Sequence, residues 1–125
     1  MKKILGLVAG IMMAAFTFGQ STIAFSDASE TYNKKETSSF NFLFSPVHSA
    51  EDIASNAAYY ESYFTVTVVS AGDKGNKVNI SLVEDNEMAR RVIMRLFVNL
   101  EINAISVNGK EMERNDFMTT YIMVD

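Results

Sequence analysis

The sequence predicts an α+β fold, and three observations predict it. Four stretches have strand patterning: Phe40-Phe42-Phe44 and Val78-Ile80-Leu82 alternate with polar residues, while Tyr63 to Ser70 and Ala104 to Val107 are β-branched, aromatic or aliphatic. Two intervening stretches have helical apolar spacing, one behind Ser49 and one behind Asp85 or Asn86. Strands with one apolar face and helices with one apolar stripe are both satisfied by two layers, with the helices on one side of an antiparallel sheet.

The chain opens differently. Lys2 and Lys3 precede an uncharged, mostly apolar run from Ile4 to Phe18, and Thr17-Phe18-Gly19 offers a cleavage site before Gln20. This is the layout of a secretory signal peptide over residues 1–20. A membrane anchor is the competing expectation, but Gly19-Gln20-Ser21-Thr22 interrupts the run of about 20 apolar residues that a spanning helix needs. The expected product is exported, periplasmic or extracellular, with no stable membrane insertion after cleavage. Residues 21–38 are polar and Ser/Thr-rich and read as a flexible leader, which leaves 39–125 as a single domain.

Within that domain, Ser39 to Ser45 is the first strand, ended by Pro46. Ser49-Ala50-Glu51-Asp52 starts a helix running to about Tyr60, because the Ser hydroxyl can accept a free backbone N–H; Ile53, Ala54, Ala57 and Ala58 form its stripe. Tyr63–Ser70 and Lys77–Val83 form a hairpin across the turn from Ala71 to Asn76. Ala89, Val92, Ile93, Leu96 and Leu100 define an amphipathic second helix, with Glu87 and Arg91 four apart on its outer face. Ala104–Val107 follows, then Asn108-Gly109, which suits a type I′ turn. Phe117 to Val124 has strand composition and is expected as an extra C-terminal strand, added to the sheet edge or paired with another molecule.

From Phe40 to Val107 the order is β-α-β-β-α-β, the ferredoxin-like arrangement. With its length, its polar hairpin and the segment Glu101-Ile102-Asn103-Ala104-Ile105 leading from helix to strand, the chain resembles a heavy-metal-associated-type domain. That resemblance implies a soft-metal site of two cysteines between the first strand and first helix. Here the junction reads Ser45-Pro46-Val47-His48-Ser49-Ala50-Glu51-Asp52, without sulfur, so metal transfer does not carry over.

Composition narrows the chemistry. A chain of 125 residues with no Cys and one His holds no disulfide, thiolate metal site, cysteine nucleophile or multi-His cage. Removing residues 1–20 takes away Lys2 and Lys3 and leaves 9 basic against 15 acidic residues, a net charge of −6. Such a surface disfavours nucleic acid. Gly72-Asp73-Lys74-Gly75 is a hairpin turn with no helix behind it to cradle phosphate, and no catalytic constellation or cofactor motif stands out.

The candidate metal ligands are His48 with Glu51 and Asp52, which could hold zinc or copper if a further ligand came from elsewhere. The plain alternative is a loop His beside a helix cap, its acids favouring the positive end of the helix dipole. Met88, Met94, Met112, Met118 and Met123 are scattered and suit core filling better than Cu(I). Tyr59, Tyr60 and Tyr63 could stack on a ligand or close the core. The uncovered sheet face is expected to present Asn41, Leu43, Thr65, Thr67, Lys77, Asn79, Ser81 and Ser106, too poor in aromatics for RNA. Asn79-Ile80-Ser81 matches a glycosylation sequon but sits mid-strand. Together these features predict an exported, non-catalytic interaction module that meets a protein partner, or itself, through a sheet edge or the exposed part of the second helix. A metal-handling protein using His48 is the alternative.

Overall fold

A computed structural model describes residues 21–124, so the expected signal peptide lies outside the described residues. Six strands form one mixed sheet: β1 (Ile23–Phe25), β2 (Ser39–Phe44), β3 (Phe64–Ser70), β4 (Asn76–Leu82), β5 (Ala104–Val107) and β6 (Lys110–Glu113). Their spatial order is β3-β4-β2-β1-β5-β6. Only β1 and β5 run parallel; the other neighbours are antiparallel. Helices α1 (Ala50–Ala57), α2 (Glu87–Asn99) and α3 (Arg114–Phe117) complete an α+β structure. Among the described residues no helix is long and apolar enough to cross a membrane.

Period-two patterning places the core. Phe40, Phe42 and Phe44 of β2 are buried on one face, beside Val78 and Ile80 of β4, and the exposed Asn41 points the other way. Onto this face α2 lays Ala89, Val92, Ile93, Leu96 and Phe97, as its three-and-four spacing requires, and α1 adds Ile53 and Ala57. The rings of Phe42 and Phe97 meet edge to face at 5.5 Å.

The caps agree with the sequence. The Ser49 side chain accepts from Asp52 N–H at 3.0 Å, and Asn86 accepts from Ala89 N–H at 2.8 Å. Glu87 and Arg91 form the expected exposed pair. Asn108 (φ 51°) and Gly109 (φ 84°) both lie at positive φ, as a type I′ turn demands. In the β3–β4 turn, Gly75 sits at φ 112°, and a Cβ there would fall 1.9 Å from the Phe44 carbonyl oxygen.

Three expectations are corrected. Residues 21–38 are not simply a leader: Ile23, Ala24 and Phe25 form β1, buried between β2 and β5. Three apolar residues are too few to show a period. The strand exists because hydrogen-bonded partners flank it on both sides.

The second correction follows from the first. The ferredoxin-like order would set Ser39–Phe44 beside Ala104–Val107, but β1 stands between them, pairing Ile23 with both Phe44 and Ile105.

Third, Phe117–Val124 is not an extra strand. Glu113 accepts from the Asn115 and Asp116 N–H groups and starts α3, which continues as a π-helical turn over Met118–Ile122. Phe117, Met118 and Ile122 are buried, a helical spacing that the β-rich composition concealed. The Phe117 ring meets Phe25 at 5.1 Å and Phe42 at 6.0 Å, so the segment caps the helix-side core. The sheet ends instead at β6, on the far side of the Asn108-Gly109 turn.

Candidate functional site

The sheet has two dissimilar ends. β6 is four residues long and carries Lys110, Glu111 and Glu113, the charge that ordinarily discourages strand addition. β3 is seven residues long, Phe-Thr-Val-Thr-Val-Val-Ser, with no charge and no proline. Its only strand partner among the described residues is β4.

The phase of that ladder decides which backbone groups face outward. Val83 N–H donates to Tyr63 C=O at 3.0 Å and Ala71 N–H to Gly75 C=O at 2.8 Å, so the odd-numbered residues of β3 face β4. The N–H and C=O groups of Phe64, Val66, Val68 and Ser70 therefore point away from the sheet. Side chains alternate independently. Phe64, Val66 and Val68 lie toward the core, while Thr65, Thr67 and Val69 stand exposed on the open face.

That open face carries the side chains the sequence predicts. Asn79 donates to Ser39 Oγ at 2.7 Å and to Asn41 Oδ1 at 2.9 Å, and accepts from Ser81 Oγ at 2.6 Å. Asn41 is held in turn by Asp27. The sequon asparagine is thus a member of a cross-strand polar ladder. Beside the ladder, Leu43, Thr67, Val69 and Lys77 line a shallow concavity that reaches β3.

A second surface surrounds His48. The loop holding it is anchored on β1: Ser45 N–H donates to Thr22 C=O at 2.8 Å, and His48 Nε2 meets Thr22 Oγ1 at 2.7 Å. His48 is 9% exposed, and its ring stands edge-on to Phe44 at 5.4 Å. Burial lowers its pKa from the ordinary histidine value, with the Asp52 charge pulling the other way. Val47, Asp52, Asn56, Asn99 and Glu101 complete an open polar cleft.

Of the predicted metal ligands, Asp52 shares this cleft with His48, while Glu51 is exposed and lies outside its lining. Among the described residues, no group of three or more His, Cys, Asp or Glu side chains is placed to hold a metal ion. The Thr22–His48 hydrogen bond sets a hydroxyl against a possible base. Among the described residues no carboxylate hydrogen-bonds the imidazole to orient it as a nucleophile's partner requires.

The remaining candidates divide. Met118 is buried and Met94, Met112 and Met123 pack against the core, whereas Met88 is exposed. Tyr60 packs on the core and accepts a hydrogen bond from Asn99, while Tyr59 and Tyr63 are exposed.

Sequence reasoning missed Arg90, which is 2% exposed. Its guanidinium donates to both Asp85 oxygens at 2.7 and 3.0 Å, to Ile122 C=O at 2.7 Å and to Thr37 C=O at 2.6 Å, over the Phe40 ring. Its spacing of three and seven residues from the apolar Ile93 and Phe97 is the available signal. In comparisons with protein-family models, curated proteins and solved structures, nothing matches the chain.

Proposed function

We propose that this chain is an exported, non-catalytic interaction module that takes an extended strand of a protein partner onto β3. The observation that carries the reading is the contrast between the two sheet ends. β6 is short and charged, whereas β3 offers outward backbone donors and acceptors with no guard. The net charge of −6 expected after signal cleavage favours a protein partner over nucleic acid or an anionic lipid surface.

The scaffold reading accompanies this one. The β3-β4-β2 order, with α1 and α2 as its crossovers, supports reading this half as a ferredoxin-like arrangement interrupted by β1. The likeness to heavy-metal-associated-type domains is then one of architecture, and a shared architecture does not transfer the metal function.

The test is an amide NMR titration of the dilute purified chain with a synthetic peptide of sequence Phe64–Ser70. The Val66 and Val68 amides are expected to shift and gain exchange protection, and Val68→Pro to abolish both effects. Shifts confined to β6, or none at all, overturn the reading. Mass spectrometry of the exported product, expected to begin at Gln20, tests the export.

A further inference from the structure

We infer that the strand β3 accepts is β3 of a second copy of this chain, giving a two-fold symmetric dimer with one sheet continuous across both protomers. The inference rests on β3 being a docking edge and adds the identity of its occupant.

Self-complementarity carries it. An antiparallel pair about a two-fold axis at Thr67 sets Thr67 against Thr67 of the second copy, Val66 against Val68, Thr65 against Val69, and Phe64 against Ser70. The outward backbone groups belong to Phe64, Val66, Val68 and Ser70, so each meets another outward set and both hydrogen bonds of each pair can close. A C2 interface requires this property, that one patch complement itself.

The side chains agree with the register on both faces. Val66 and Val68, which pack on the core beside Phe64, would extend the helix-side apolar layer across the junction. On the open face, Thr–Thr and Thr–Val pairs are favourable cross-strand neighbours. Since β3 has no charged residue, no like charges meet at the axis. By contrast, antiparallel self-pairing of β6 about its centre would span four residues only.

α1 packs on β3, so the two α1 helices would face each other over the axis. Its exposed positions include Ala50 and Ala54, small enough for helix axes to approach within about 8 Å.

Light scattering after size exclusion, at high micromolar loading, reads the result. Wild type is expected to run at the mass of two chains. Thr67→Lys and Thr67→Glu each change an exposed side chain, and each would set like-charged side chains directly opposite at the axis, their Cβ atoms about 5 Å apart; each alone is expected to halve the mass. An equimolar mixture of the two is expected to restore it, because opposite charges then face each other. Val68→Pro, whose N–H points away from β4 and carries no ladder bond, is expected to halve the mass by an independent route.

A single-chain mass for wild type overturns the inference, as does a dimer indifferent to Thr67→Lys or a mixture that stays monomeric. Failure here with peptide docking intact at Val66 and Val68 removes the second copy alone. Loss of peptide docking removes the edge itself.

Discussion

Replacing Arg90 by methionine removes four hydrogen bonds and one buried charge from the place where three separate chain segments meet. Arg90 holds Thr37, ahead of β2, Ile122, at the end of the C-terminal turn, and Asp85, ahead of α2. The bond to Ile122 C=O is buried, so that acceptor keeps no water substitute and its loss costs about 1–3 kcal/mol. The Thr37 bond is part-buried and Asp85 is 42% exposed, so both regain some water; together they add about 1–2 kcal/mol. Methionine against the Phe40 ring returns about 1 kcal/mol of apolar burial. The expected net loss is about 1–4 kcal/mol, read as a lower urea midpoint with unchanged slope. Hydrogen exchange should speed up first in Met118–Ile122. Asp85→Asn should lose less stability at low pH than at neutral pH. The arginine hydrogen bond holds the Asp85 carboxyl below its ordinary value, so its stabilisation is present above about pH 4 and fades as the pH falls further. A loss below about 0.5 kcal/mol for Arg90→Met, or exchange unchanged in the C-terminal turn, refutes the reasoning.

Two further outcomes follow from the cleft. His48 is the only histidine in the chain, so its ring protons report one titration. Because its folded pKa is lowered, protonation favours the unfolded chain. Stability should be full above about pH 6.5 and fall as the pH drops toward the folded value, and Asp52→Asn should lower that value further; an NMR titration at or above the ordinary histidine value contradicts this. Glu101 follows α2 at φ 62°, where Glu101 N–H bonds Val98 C=O and Ile102 N–H bonds Phe97 C=O, a helix ending that favours glycine. Glu101→Gly should therefore stabilise by about 0.5–1 kcal/mol and raise Tm by about 2–6 °C, measured by thermal unfolding.

Much of this fold was legible because short-range physics wrote it. Ser49 and Asn86 cap helices wherever the chain leads next, and the Asn108-Gly109 turn depends on local φ preferences alone. The alternation in β2 and β4 correctly divided buried Phe42 and Val78 from the polar ladder of Asn41 and Asn79. The C-terminal segment misled because Thr119, Thr120, Tyr121 and Ile122 favour strands. Its real determinants are the Glu113 cap and burial of Phe117, Met118 and Ile122 against Phe25 and the rest of the core.

What the sequence determined by itself was the α+β class, the caps and turns, and which face of each strand is apolar, since each depends on neighbours within a few residues. Only the tertiary structure decided that Ile23–Phe25 is a central strand, that Arg90 ties Thr37, Asp85 and Ile122 together, and that β3 is an edge. Each of these is a relation between residues far apart in the chain. A strand's neighbour, a buried charge's partners and a sheet's edge exist only once distant segments have met, and no local pattern encodes that meeting.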